Sequence, residues 1–257
     1  MNTYGQSSSL TSQELSTLES GNASTLNGES SEVQKICFPF GSLDPEANKI
    51  LEIVGHRRRI RRGSSLYLEG EEFKALFTVR SGFFKTVASS EYGHAQVMGF
   101  QMSAEIMGFD GIYKNCHTNA AIALEDSDVC VLPFVRLEEV GDEIPTFKRQ
   151  LFKLMSYEII REHRVMMMLG GMRAEARLAA FLIDLASRMH QRGYSRSNLV
   201  LRMTREEIGS FLGLKLETVS RIFSKFVRAG VISVKQRSVI ILSHQDLEQI
   251  FTQRFAI

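Results

Sequence analysis

The stretch LRMTREEIGSFLGLKLETVSRIFSKFVRAG, Leu201 to Gly230, decides the reading of this chain. Thr204 carries N-cap chemistry, and Glu207 three residues on completes the spacing of a capping box. A helix starting there turns Ile208, Phe211 and Leu212 toward a core. Gly213-Leu214 fills a tight turn. A second helix follows, with Val219, Ile222, Phe223 and Phe226 at three- and four-residue steps on its inner face. Two short helices joined by a glycine-containing turn form a helix-turn-helix.

On the second helix Glu217, Ser220 and Arg221 stand at i, i+3 and i+4, so all three share one face near its N-terminus. A major groove admits such a helix, whose first residues reach base edges. Arg221 suits guanine O6 and N7, Glu217 accepts from cytosine N4, and Ser220 is short enough for close approach. Arg202, Arg205, Lys215, Lys225 and Arg228 are candidates for phosphate contact. The competing reading is a solvated polar face with an internal Glu217–Arg221 ion pair. Charge distribution favours the anionic partner. Residues 170–257 carry 14 lysines and arginines against 7 aspartates and glutamates, although the whole chain nets only +2. Residues 1–35 carry 1 against 4, and residues 36–169 carry 16 against 18.

Outward from this segment, Val231–Val234 and Val239–Leu242 read as a two-stranded hairpin, the wing of a winged helix. Upstream, Ala174–Gln191 reads as a helix with Leu178, Phe181, Leu182, Leu185 and Met189 on one face, ended by Gly193. Between Phe147 and Leu169 there is neither Pro nor Gly. One stripe there runs Phe152, Met155, Ile159, Glu162, Met166, Leu169, and another Phe147, Leu151, Leu154, Glu158, Arg161, Val165, Met168. Spacing of three and four residues kept over three heptads predicts a dimer seam, with a helix packed on its own domain as the alternative. Glu162 would face its own copy across a two-fold axis, which opposes association. Gly170-Gly171 is expected to break the helix, and Met166-Met167-Met168 reads as helix packing rather than a copper site.

Residues 63–134 alternate short β-type runs with glycines: Ser65–Leu68, Ala75–Val79, Phe83–Val87 and Val129–Leu132, with Arg80-Ser81-Gly82 as a hairpin turn. This predicts an antiparallel β-roll. Asp44 to Val54 reads as a short helix. Residues 1–31 hold nine serines and few large apolar groups, a composition expected of a disordered tail. The expected organisation is therefore α+β: a tail over 1–31, a β-roll over 32–145, a dimerisation helix over 146–169 and a winged helix-turn-helix over 170–257.

Hydrophobic residues make up 44% and charged residues 23%, enough for a real core. No apolar run is long enough to span a membrane, and the opening Met1-Asn2-Thr3-Tyr4-Gly5 lacks a signal pattern. Three cysteines do not make a disulfide framework, so a cytoplasmic chain is expected. No Gly-x-Ser-x-Gly elbow, phosphate-binding loop or dinucleotide fingerprint occurs, which argues against an enzyme.

The order of parts resembles the CRP/FNR transcription regulators over about residues 33–250, most closely the FNR branch. The carrying residues are Ile36-Cys37-Phe38-Pro39-Phe40, Arg80-Ser81-Gly82, Glu105–Asp110, Val129–Phe134, Ala174–Phe181 and Glu217-Thr218-Val219-Ser220-Arg221. The resemblance implies a homodimer on two-fold TTGAT-like DNA sites that contacts RNA polymerase, mainly as an activator. By analogy the polymerase-contact loops lie near 89–95 and 111–118. It also raises the question of the signal. The cyclic-nucleotide branch holds a phosphate with an Arg-Ser pair, but the matching stretch here is Asn119-Ala120-Ala121-Ile122-Ala123, so no cyclic nucleotide is expected.

The FNR branch holds a [4Fe–4S] cluster on four cysteines. Cys37 and Cys130 match two of them, whereas the other two positions are Gly28 and Ser31. Cys116 is unmatched, and a cluster would need it together with Glu29, Glu32 or His117 as substitutes. Two other readings stand beside that one. Cys37 and Cys130 can form a reversible disulfide, or they are simply packed, with control by protein level, dimerisation or another ligand.

Overall fold

The computed structural model describes residues 55–89, 93 and 95–252. The expected tail, the Asp44–Val54 helix, Cys37, Gly28 and Ser31 lie outside the described residues. So does most of the 89–95 loop.

Two four-stranded antiparallel sheets make the roll. One has the order β1 (His56–Ile60), β8 (Ser127–Pro133), β3 (Ala75–Ser81), β6 (Ile106–Met107). The other runs β2 (Ser65–Tyr67), β7 (Ala120–Ala123), β4 (Phe83–Ser89), β5 (Ala95–Met102). Leu66, Phe77, Val79, Phe84, Val129 and Val131 fill the space between them. The alternate residues of β3 and β8 face the other way. Leu76, Cys130 and Leu132 pack against helices α1 (Phe134–Glu143) and α2 (Pro145–Gly171) through Leu137, Phe147 and Leu154. Val129-Cys130-Val131-Leu132 is thus apolar throughout because its strand is covered on both faces.

Two expectations are corrected here, and some elements escape the sequence reading. Arg80-Ser81-Gly82 is not a hairpin turn, since β3 and β4 belong to different sheets. Gly82, at φ 101°, is the corner where the chain changes sheet, and a Cβ there would fall 2.1 Å from Ser127 Oγ. β1 escapes a hydrophobicity reading because its sequence is HRRRI. As an edge strand it needs only Ile60 for the core. Gly170-Gly171 does not cut α2 short before the pair: both glycines are its last helical residues, and Met172 caps it in an extended conformation. Helix α1 and the last helix, α6 (His244–Thr252), have no counterpart in the sequence reading.

After α2 come α3 (Ala174–His190), β9 (Asn198–Val200), α4 (Arg205–Leu212), α5 (Leu216–Arg228), β10 (Ile232–Lys235) and β11 (Ser238–Ile241). The wing is three-stranded, β10-β11-β9, with β9 recruited from before the helix-turn-helix. One hydrophobic cluster takes in Leu178, Leu182, Ile208, Phe223 and Phe226, and also Phe83, Val97, Phe100 and Met102 of the roll. The C-terminal unit is therefore packed on the roll.

Candidate nucleic-acid interface

Thr204 Oγ1 accepts from the Glu207 N–H at 3.1 Å, and the Glu207 carboxylate accepts from the Thr204 N–H at 2.6 Å, so the capping box is complete. The two helices cross tightly at Gly209. A Cβ there would lie 2.6 Å from the Leu214 carbonyl oxygen, and the Leu214 N–H donates to the Gly209 carbonyl at 2.9 Å. Val219, Ile222, Phe223 and Phe226 are all buried. That inner face aims the opposite one, with Glu217 and Arg221 exposed and Ser220 half-buried, at solvent.

No Glu217–Arg221 ion pair forms among the described residues. The Arg221 guanidinium instead approaches Thr218 Oγ1 at 3.4 Å, so both charged heads remain available. The five expected phosphate cations divide. Lys215 and Arg228 are exposed at the two ends of α5. Arg205 lies over the Phe223 ring, 4.2 Å from its centroid, and burial lowers its pKa. Lys225 is engaged by Glu175 at 3.2 Å. Arg202 is held by Glu125 of the roll at 2.6 Å.

The α2 stripes separate cleanly. Phe147, Leu154 and Met168 are buried against the chain's own core. On the other stripe Phe152, Ile159 and Met166 are exposed, at 59%, 52% and 66%. Glu162 is exposed between them. Of the three consecutive methionines only Met168 is buried, while Met167 also stands exposed.

Sequence reasoning missed how the C-terminal unit is fixed to the roll. Glu105, 6% exposed, receives Arg188 bidentately at 2.6 and 2.9 Å and Arg192 at 2.7 Å. Arg161 of α2 stands 3.8 Å away. Burial would raise the Glu105 pKa, but the guanidiniums of Arg188, Arg161 and Arg192 hold it below the usual carboxylate range. Arg177 donates to the carbonyls of Leu169, Met172 and Leu212 at 2.7, 3.0 and 3.0 Å. It thereby ties the end of α2 to the end of α4. A hint of this role was present in the sequence, since arginines on the apolar helix α3 imply buried acceptors.

Cys130 is buried in the layer under α1 and α2. Cys116 sits in a loop bridged to Glu72. His117 is buried and stacked on Tyr67 with ring centroids 3.8 Å apart, so it serves the core. Among the described residues no three His, Cys, Asp or Glu side chains converge on a possible metal position. With three cysteines in the whole chain, a four-thiolate cluster does not fit this donor set.

The comparisons with known proteins agree with this architecture. The Crp-like helix-turn-helix domain matches residues 176–250, and the cyclic nucleotide-binding domain matches residues 57–143. The transcriptional regulatory protein btr of Bordetella pertussis is 43% identical over 85% of this chain and 90% of its own. This chain belongs to the CRP/FNR family of transcription regulators. The fumarate and nitrate reduction regulatory protein of Escherichia coli K12 is 35% identical over 85% of this chain and 87% of its own, which places this regulator in the FNR branch. The solved structure of FixK2 from Bradyrhizobium japonicum superposes with a TM-score of 0.71 at 25% identity, covering 77% of this chain and 97% of that one. This CRP/FNR regulator is thus a DNA-binding transcription regulator and not an enzyme. Among the described residues no helix is long and apolar enough to cross a membrane.

Proposed function

We propose that this regulator acts as a homodimer on two-fold TTGAT-like sites, mainly as an activator that contacts RNA polymerase, and that it answers oxygen or redox state. The observation that carries the reading is the polar face of α5, with Glu217 and Arg221 exposed beside Ser220 over a fully buried opposite face. Glu217 and Arg221 pair with cytosine and guanine edges, while Lys215 and Arg228 neutralise phosphates. The exposed row Phe152, Ile159, Met166 supports the dimer, because a helix face of that size needs cover.

For the signal, the donor set favours thiol chemistry between Cys37 and Cys130 over an iron–sulfur cluster. Two thiols closing to a disulfide lose their two protons to solvent and pass two electrons to an oxidant of the oxygen or peroxide class. Regulation without any cofactor is the second reading, supported by the burial of Cys130.

A gel shift on a TTGAT-N4-ATCAA duplex, with and without thiol reductant, tests both parts. Binding no tighter than to a scrambled duplex overturns the DNA reading. About four irons and four labile sulfides per chain in protein purified without oxygen overturns the thiol reading.

A further inference from the structure

We propose that Glu105 is a positioning residue for DNA recognition: one carboxylate that fixes the recognition unit in place relative to the roll and the α2 helix, and so sets the spacing of DNA half-sites the dimer accepts. This rests on the two-fold DNA reading above. The geometry supplies the argument. Glu105 lies between β5 and β6 at the edge of the roll. Its two oxygens take Arg188 from α3, the helix on which the helix-turn-helix is built, and Arg192 from the turn just after it, and face Arg161 from α2. Roll, long helix and DNA-binding unit therefore meet on one side chain. Arg192 adds a bond to the Ser103 carbonyl, and Arg188 one to the Phe100 carbonyl at 2.6 Å.

The rest of the seam makes this anchor consequential. A cavity of about 400 Å3 opens beside it, between Phe83 and Met102 on the roll and Leu185, Met189 and Leu199 on the other side. Apolar contact joins the two units around that cavity, and the charged cluster adds a polar tie at its rim through Arg192. Docking uses α4 and α3, whereas the base-reading face of α5 stays in solvent. The docked arrangement is thus compatible with DNA, and it holds the reading helix at a fixed place before DNA arrives. A fixed reading helix binds without an ordering cost and tolerates little change in spacing.

The test compares parent and Glu105→Gln protein on TTGAT duplexes with N4 and N6 spacers. Two extra base pairs move one half-site by about 7 Å and turn it by roughly 70°. The parent should prefer N4 strongly. Glu105→Gln should weaken N4 binding about tenfold and reduce the N4-to-N6 preference by about fivefold or more, within the usual range of coupling between sites. Glu105→Asp, which keeps the charge, should recover part of that preference.

A merely structural role predicts equal loss on both spacers, and that result overturns the proposal, as does no change. If Glu105→Gln does not fold, Arg192→Gln decides on the same readout, because Arg188 still pairs with Glu105 in that protein. A parent that ignores the TTGAT duplex altogether removes the DNA reading, and this proposal falls with it. A parent that binds with an unchanged preference after substitution removes this proposal alone.

Discussion

The Lys85 ammonium lies 2.7 Å from the Glu207 carboxylate, joining strand β4 of the roll to the capping position of the first helix of the helix-turn-helix, 122 residues away. The same carboxylate accepts from the Thr204 N–H. Glu207 therefore both starts a helix and docks it. Nearby, Ser210 Oγ accepts from the Val97 N–H at 2.9 Å, and Phe211 stands edge-on to Phe100 at 5.4 Å.

Because Glu207 holds two partners, its loss should exceed that of the cap alone. Thr204→Ala should cost about 1 kcal/mol, and Glu207→Ala roughly 1–3 kcal/mol. Urea denaturation of Lys85→Met, Glu207→Gln and the double variant should give a non-additive cycle. Strict additivity would mean that the interdomain pair contributes nothing.

Gly209→Ala should destabilise the helix-turn-helix by about 1–3 kcal/mol, since its Cβ would press on the Leu214 carbonyl at 2.6 Å. Thermal unfolding by circular dichroism reads this directly. An unchanged midpoint would show that the two helices can spread without cost.

Arg221→Ala should weaken binding to the TTGAT duplex by about 1–3 kcal/mol and relax preference at one base pair. Lys215→Ala and Arg228→Ala should weaken all sequences alike and reduce the salt slope by about 1 each. Fluorescence anisotropy over a salt series separates the two patterns. A uniform loss for Arg221→Ala would move that residue to the phosphate class.

On the α2 seam, Glu162→Ala should strengthen self-association, and Ile159→Glu should abolish it. Ile159 is 52% exposed within the apolar row, and a buried carboxylate there would lack a partner. Sedimentation equilibrium measures both. A Glu162→Ala protein that associates no better than the parent would sink the idea of a charge-tuned dimer.

Acid should loosen the docked arrangement. The Glu105 pKa is depressed in the fold, so its contribution is complete above the ordinary glutamate range and is lost as pH falls through the lowered value. Arg188 of α3, Arg192 just after it and Arg161 and Glu158 of α2 face it, with Asp184 beside Arg188 and Tyr157 beside Arg192. Burial pushes the Glu158 carboxyl up, so Glu158 acts the opposite way and favours the fold at lower pH. Subtracting the pH–stability curve of Glu105→Gln from that of the parent isolates the Glu105 part. That difference should shrink on the acid side, and a difference independent of pH would refute the assignment.

Local chemistry was enough to read the helix-turn-helix. The capping box, the buried rows and the Glu217-Ser220-Arg221 face all follow from spacing along one helix, and spacing is a property of the chain. The outer and inner stripes of α2 were also legible. The row Phe152, Ile159, Glu162, Met166 reads as the seam, whereas the cover of the other row was not legible. Only α1 and the back of β8 assign Phe147 and Leu154 inward and leave Phe152 and Ile159 outside.

β1 and the corner at Gly82 depended on partners far along the chain. A basic strand gains its place from β8, and a glycine between two strands does not reveal whether they pair or part. The sequence by itself determined the reading helix and the kinds of side chain it offers to DNA, since those depend on neighbours three and four residues apart. Only the tertiary structure decided where that helix is held. Glu105 meets Arg188 and Arg192 across 83 and 87 residues, and such pairings arise from the packing of whole elements rather than from any local pattern.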